Sequence, residues 1–137
     1  MVNQKSVLRR LQKLDEYLAY LYDLQQYDFD EFVETPIYFG AGERFLHLAI
    51  EAVNDIGNHI IADQNLGVVK KYADIPEILL KHGFISQPVC DTWKDMSGFR
   101  NVLVHQYADI ERKRVYEVLH DGLEFIESLK TVFAKFL

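Results

Sequence analysis

Apolar residues recur along this chain at the three- and four-residue spacing that places side chains on one face of an α-helix. Near the N-terminus the spacing alternates between four and three residues, in the series Val7, Leu11, Leu14, Leu18 and Leu21. A similar pattern returns later, in the series Val115, Leu119, Leu123, Ile126 and Phe133. The sustained two-residue alternation that would indicate strands is not found in the sequence. We therefore predict an all-α fold, a four-to-five-helix and mostly antiparallel bundle.

Prolines, glycines and capping residues set the predicted helix limits. Thr35 and Pro36 open the longest helix, Ser86 caps a later one, and Asp109 caps the last. A polar connection between the first two helices has room for a short helical turn. The predicted helices cover about residues 4–26, 36–63, 74–82, 87–104 and 110–137.

Two features of these helices leave alternatives open. The first apolar seam suits packing within a bundle or a dimer seam, although it is too short for a free-standing coiled coil. Gly40, Gly42 and Gly57 fall within the second predicted helix, where each glycine lowers helix stability. These glycines indicate either a later start of that helix or close contacts with its neighbours.

Length, charge and cysteine usage bound the class of protein. A chain of 137 residues suits a single domain over residues 1–137. Its formal net charge of −6 excludes nucleic-acid binding through the overall field, so we expect no DNA partner and a local basic patch for any RNA. One cysteine, Cys90, suits a reducing compartment and a small buried side chain. Without a secretory or membrane-spanning stretch, we expect a cytoplasmic protein with no membrane partner, and we expect no cofactor.

Arg100 departs from the helical pattern. At about 100° per residue, one apolar arc of the predicted 87–104 helix is formed by Val89, Trp93, Met96, Phe99, Leu103 and Val104. Arg100 falls within that arc. A guanidinium is costly to bury unless it meets an anion or several acceptors, and such departures from local rules are typical of functional sites.

His105 and Tyr107 follow Arg100 closely. On a continuous helix, position 105 lies about 140° from position 100, so the two side chains converge only if the backbone leaves the helix near Val104. The structural alternatives are an Arg100 paired with a carboxylate, a His105 at a helix end, and a Tyr107 in the core with a polar edge. The functional alternative is a phosphate or proton-transfer site that uses all three.

Two stretches of the chain resemble one family. The run GFRNVLVHQY at residues 98–107 is similar to the HEPN superfamily signature, an arginine and a histidine separated by four to six residues and here by four. The tyrosine two residues after the histidine makes it resemble the HepT-like ribonuclease toxins. A second stretch resembles the same family in three pieces, ER at residues 43–44, AIEA at residues 49–52 and DIGNHII at residues 55–61. The resemblance covers nearly the whole chain, with one departure at His47, where we expect the family to have glutamine.

This resemblance implies a small helical protein that forms a homodimer and acts as a metal-independent endoribonuclease. It further implies the toxin of a type VII-like toxin–antitoxin pair, with RNA as substrate and a minimal nucleotidyltransferase as antitoxin. In that family the antitoxin silences the toxin by adding AMP to the motif tyrosine, here Tyr107. The added bulk and negative charge would repel RNA.

RNA cleavage gives the predicted site residues their roles. Once a base removes the 2′-hydroxyl proton, the 2′-oxygen attacks the neighbouring phosphorus and the 5′-oxygen leaves, without a metal. Arg100 and His105 are the predicted catalytic residues, since an arginine can hold the phosphate and an imidazole can transfer protons near neutral pH. Asn101 and Tyr107 are predicted to support them. The reaction needs both a base and an acid, and the motif supplies one histidine for each chain. We therefore expect two copies of the motif in a dimer cleft.

His47, Glu51, Asp55 and His59 are spaced four residues apart and share a polar stripe of the second helix. Imidazoles and carboxylates on one face can hold a metal, but a second helix usually adds ligands and no matching motif is present. We therefore predict no metal site. Glu51 and Asp55 are instead predicted to support the site as partners of Arg100 or His105.

The basic clusters and the competing functions remain open at this level. Lys70-Lys71 and Arg112-Lys113-Arg114 suit a positive field for RNA or an ordinary charged surface. The alternative to an enzyme is a non-catalytic nucleotide- or RNA-binding subunit of a nucleotidyltransferase pair, and a third is a degenerate homologue that only interacts. The intact Arg100, His105 and Tyr107 favour the enzyme.

Overall fold

The described residues are all helical or in connections between helices. The computed structural model describes residues 4–105 and 112–137, the side chains of Val104 and His105 excepted, and these ranges contain no strand. They form seven helices, namely α1 (Gln4–Leu24), α2 (Phe29–Glu34), α3 (Pro36–Asp63), α4 (Asp74–Lys81), α5 (Gln87–His105), α6 (Arg112–Asp121) and α7 (Leu123–Ala134). The predicted all-α class is confirmed. The predicted count of four to five is too low, because α2 is a separate helix and the last predicted helix is divided.

Helix α3 is the centre of the bundle and contacts each of the other six helices. The apolar seam of α1 packs mainly against it, with Val7, Leu14, Leu18 and Leu21 buried and Leu11 half-buried. The seam is therefore used within the chain, as the bundle alternative requires. The second predicted series is also buried, at Val115, Leu119, Leu123, Ile126 and Phe133.

The glycines of α3 mark close helix contacts rather than a late start. The helix begins at Pro36, before all three of them. A Cβ built on Gly57 would lie 2.6 Å from Ile75 Cγ2 on α4, and one on Gly42 would lie 2.9 Å from the Phe32 ring on α2. Only a residue without a side chain lets those neighbours pack so near the α3 backbone.

The last predicted helix is divided at Gly122, which corrects the expectation of one helix to near residue 137. A Cβ at Gly122 would lie 2.8 Å from the backbone oxygen of Val118, so the turn from α6 into α7 requires glycine. The apolar spacing from Leu119 to Leu123 continues across this break, and periodicity therefore cannot reveal it. The predicted cap at Asp109 lies outside the described residues.

Two further observations concern exposure. Cys90 is fully buried, and burial raises the pKa of its thiol, as expected for a small core side chain. Within residues 4–105 and 112–137, no helix is both long and apolar enough to cross a bilayer.

Candidate active site

A buried polar cluster sets the position of α5 against α3. The Asn54 amide group on α3 donates from Nδ2 to Ser97 Oγ (3.2 Å) and accepts at Oδ1 from Trp93 Nε1 (2.8 Å), both on α5. Asn54 and Ser97 are 1% and 5% exposed. Buried polar groups need partners, so these bonds favour one axial alignment of the two helices.

That alignment brings Arg100 opposite Glu51. Glu51 precedes Asn54 by one turn of α3, and Arg100 follows Ser97 by one turn of α5. Arg100 Nη2 lies 3.8 Å from Glu51 Oε2, and the arginine side chain is only 16% exposed. Arg100 thus lies on the largely buried face where its angular position predicts it, within ion-pair distance of Glu51, and the supporting role of Glu51 stays a prediction.

The Arg100 guanidinium is fixed by few bonds. Its Nη1 donates to Asn101 Oδ1 (3.3 Å), and its Cζ lies 5.2 Å from the centre of the Tyr72 ring, a cation–π distance. Its Nε is buried and has no hydrogen-bond partner among the described residues. Arginine carries five N–H donors and one hydrogen bond is described for this group, so donors on its two Nη atoms remain for an anion.

His47 joins Glu51 to a second arginine. Arg44 Nη1 lies 3.3 Å from His47 Nδ1, and His47 Nε2 lies 2.8 Å from Glu51 Oε2, without the alignment of a good hydrogen bond. Burial lowers the pKa of His47, as do Arg100 and Arg44, against the opposing effect of Glu51. A neutral His47 ring that accepts from Arg44 at Nδ1 carries its proton on Nε2, close to the Glu51 carboxylate.

Asp55 lies one turn further along α3 and faces a different groove. The groove has a volume of about 200 Å³ between α1 and α3, and Asp55 shares it with Arg10, Lys13 and Glu51. Asp55 is exposed as a residue, but partial desolvation of its carboxyl group and the Glu51 charge raise its pKa. Positive groups that include Arg10 and Arg100 lower it. No direct contact joins Asp55 to Arg100 among the described atoms. Its predicted supporting role stays a prediction.

Of the other two motif residues, the structure describes the backbone of His105 and nothing of Tyr107. His105 is the last residue of α5, one residue beyond the predicted end, and its side chain is not described. Positions 100 and 105 therefore belong to one continuous helix and lie about 140° apart around its axis. The backbone does not leave the helix at Val104. Tyr107 lies outside the described residues.

The polar stripe of α3 and the two basic clusters lie in different parts of the structure. Among the described residues, no group of three His, Cys, Asp or Glu side chains is arranged to hold a metal. Arg112 donates to the backbone oxygen of Val33 (2.7 Å) and stacks on Phe39 at 3.7 Å, so it fastens α6 to α2 and α3. Lys70 and Lys71 line a cavity beside Asn101.

Two residues near Arg100 were not predicted from the sequence. Tyr72 lies in the connection between α3 and α4, where apolar periodicity carries no signal. Arg44 belongs to the second stretch of the family resemblance, and its spacing of three residues from His47 on a helix was the available signal.

Comparisons with known proteins match most of the chain to one family. The model of the family described as "Ribonuclease HepT-like" matches residues 7–132. The chain is 37% identical over 82 residues to the "mRNA nuclease HepT" of Shewanella oneidensis, a match covering 60% of this chain and 62% of that protein, less than two thirds of its length. It is 27% identical over 117 residues to the "tRNA nuclease HepT" of Aphanizomenon flos-aquae, covering 84% of this chain and 78% of that protein.

One similar solved structure contains a toxin together with its partner protein. It is described as a tri-AMPylated Shewanella oneidensis HEPN toxin in complex with an MNT antitoxin. This chain superimposes on one chain of it with a TM-score of 0.86 at 26% identity, and the match covers 94% of this chain and 96% of that one.

Proposed function

Because the chain belongs to the ribonuclease HepT-like family, we propose that it is a metal-independent endoribonuclease and the toxin of a type VII-like toxin–antitoxin pair. Two relatives, both named HepT, are described as an mRNA nuclease and a tRNA nuclease, which supports RNA as the substrate. The solved HEPN toxin bound to an MNT antitoxin supports a minimal nucleotidyltransferase as partner.

The observation that carries this proposal is the state of Arg100. Its side chain is mostly buried, its Nε has no described partner, and Glu51 and Tyr72 hold the guanidinium in place. A cation fixed in this way can bind a phosphodiester with two parallel hydrogen bonds and stabilise the charge that grows on the phosphoryl oxygens. A purely structural arginine would have its donors satisfied by the protein.

The proposed reaction is an internal transfer on RNA. A neutral His105 removes the 2′-hydroxyl proton, and O2′ forms a bond to the adjacent phosphorus. The bond from phosphorus to O5′ breaks, and a protonated imidazole gives its proton to the leaving oxygen. The products are a 2′,3′-cyclic phosphate and a 5′-hydroxyl, and the histidines end with the same total of protons.

Two histidines are needed for this sequence, one as base and one as acid. Since positions 100 and 105 lie on different sides of a continuous α5, we propose that a two-fold homodimer pairs the motifs of two chains in one cleft. The Arg100 of one chain and the His105 of either chain would then act on the same phosphate.

The supporting residues act through these two. Asn101 accepts a hydrogen bond from Arg100 and is exposed, so it can orient the guanidinium and contact the RNA backbone. Glu51 positions Arg100 from α3, and Asp55 adds negative charge one turn away. Tyr107 would position RNA and accept AMP from the antitoxin, which would close the site by bulk and charge.

RNA cleavage by the purified protein in the presence of a chelator tests the proposal. We expect wild type to cleave, and Arg100→Ala and His105→Ala to lose at least about a hundredfold in rate. Arg9→Ala and His82→Ala are matched controls on exposed positions of α1 and the end of α4, and should cleave normally. Wild-type cleavage by His105→Ala would contradict the mechanism. RNA binding without any cleavage would favour the non-catalytic subunit.

A further inference from the structure

A cavity lies beside Arg100, between the connection after α3 and one face of α5. Its volume is about 520 Å³, within the range of about 300 to 1,000 Å³ that is usual for small-molecule sites. Three lysines contribute to its wall, two from the connection and one from α5. The lining residues used below are Lys70, Lys71, Tyr72, Lys94, Gly98 and Asn101.

The lysine side of the cavity is held by α4. The carboxylate of Asp74, in the first turn of α4, accepts the backbone N–H groups of Lys70 (2.9 Å) and Lys71 (3.1 Å) at Oδ2. These bonds lower the pKa of Asp74. The connection is therefore pinned at the two lysines, whose side chains are exposed to solvent. The third lysine, Lys94, is paired with Glu77 and contributes less free charge.

The cavity adjoins Arg100 through two of its lining residues. The Tyr72 ring lies 5.2 Å from the Arg100 guanidinium carbon. Asn101 accepts the hydrogen bond of Arg100 Nη1. A phosphate bound by Arg100 would therefore have the cavity as its neighbour.

We propose that this cavity is an RNA subsite, which binds the nucleotide next to the scissile phosphate in single-stranded RNA. The proposal rests on the proposed function, because Arg100 has to hold a phosphodiester for the next nucleotide to reach the cavity. Lys70 and Lys71 attract the following phosphate. The ring of Tyr72 offers a surface on which the base can stack, and the amide of Asn101 offers hydrogen bonds to the nucleoside. This is a local basic patch on a chain whose net charge is −6.

Gly98 gives the cavity its opening on the α5 side. A Cβ built on Gly98 meets no atom within 4 Å, so the backbone accepts a side chain here, and Gly98 lines the cavity into which a larger one would extend. Gly40 on α3 is a matched control, because a Cβ there also meets nothing within 4 Å. Gly98→Leu should fill the subsite, and Gly40→Leu should leave it open.

The test is the affinity of the protein for a fluorescently labelled single-stranded RNA, measured by fluorescence anisotropy at several salt concentrations. The probe is a 2′-O-methyl oligonucleotide of about ten residues, which cannot be cleaved because its attacking hydroxyl is blocked. We expect Lys70→Glu with Lys71→Glu to weaken binding about tenfold. The salt slope should become shallower by about 0.7 for each phosphate that the variant no longer neutralises. Gly98→Leu should weaken binding with an unchanged salt slope.

The charge control is Lys81→Glu with Lys135→Glu, two exposed lysines at the ends of α4 and α7. It changes the net charge equally and should bind RNA as wild type does. Equally weakened binding in this control would overturn the proposal, because the effect would then belong to the overall field. Wild-type binding by both the lysine pair and Gly98→Leu would also overturn it. Gly98→Leu keeps the test decisive if the lysine variant fails to fold.

Failure of the subsite can be told from failure of the proposed function. If wild type cleaves RNA, His105→Ala does not, and both cavity variants keep the wild-type KM, the nuclease stands and the subsite is wrong. If the cavity variants raise KM at unchanged kcat, the subsite is supported.

Discussion

Asn54 on α3 and Ser97 on α5 form a hydrogen bond in the core. One helical turn away from this bond, Glu51 on α3 lies opposite Arg100 on α5. The same Asn54 accepts the indole N–H of Trp93. We therefore expect the geometry of the candidate site to depend on this buried polar cluster. Changes in this cluster should alter stability and RNA cleavage together.

Asn54→Ala tests this dependence. It leaves the buried Trp93 Nε1 without its acceptor, so the free energy of unfolding should fall by about 1–3 kcal/mol in urea denaturation. Cleavage should fall as well at temperatures where the variant is folded, since Arg100 and Glu51 lose their alignment. Asn58→Ala, on the exposed side of the same helix, is the control. A destabilised Asn54→Ala with wild-type kcat would contradict the positioning role.

Glu51→Gln separates positioning from folding. Glu51 is 39% exposed, so losing its ion pair should change the free energy of unfolding by about 1 kcal/mol at most. We expect kcat to fall about ten- to a hundredfold because Arg100 is no longer fixed, with a smaller change in KM. Glu51→Asp should recover part of the kcat. The control Glu31→Gln lies on α2 and should match wild type; unchanged kcat in Glu51→Gln would remove Glu51 from the site.

His47 should make stability depend on pH on the acid side. Burial lowers its pKa below the ordinary value of 6.5, so the unfolded chain binds more protons than the folded one in the window between the two values. This contribution to stability is present above the unfolded pKa and is lost as pH falls through the folded pKa. His47→Gln should therefore lose less stability than wild type between about pH 7.5 and about pH 5 in urea titrations.

Two other groups in the neighbourhood act with the opposite sign and serve as an internal check. Burial raises the pKa values of Asp55 and Glu43 above their ordinary values, so their effect is a loss of stability as pH rises through the folded values. Both carboxyl groups remain in His47→Gln and cancel in the comparison with wild type. Parallel pH profiles of the two proteins would contradict the assignment to His47.

Gly57→Ala should destabilise the bundle. The new Cβ would lie 2.6 Å from Ile75 Cγ2 and 3.3 Å from the Trp93 ring, and overpacking of this kind costs about 1–3 kcal/mol. Gly40→Ala on the same helix meets no atom and should instead raise stability by about 0.5–1 kcal/mol through helix propensity. Thermal unfolding of the pair measures both signs, and a stabilised Gly57→Ala would show that α4 can move away from α3.

The parts of the fold that follow from local chemistry were predictable from the sequence. Pro36 opens α3, the apolar seams are buried, and the angular position of Arg100 predicts its burial beside a carboxylate on the polar stripe. The division at Gly122 was not predictable, because it depends on the distance between a missing Cβ and a backbone oxygen one turn away. Tyr72 was also missed, since its place under Arg100 comes from the path of a connection. The roles of His105 and Tyr107 stay predictions.

The packing of Phe133 against Trp93 has a consequence for the order of events during synthesis. Their ring centres lie 5.8 Å apart, and Trp93 in turn binds Asn54. Translation runs from the N-terminus, so the segment that carries Trp93 is synthesised before α7, which covers its ring. The contact of Trp93 with Phe133 therefore cannot form until α7 has been synthesised, although the partner Asn54 is already present.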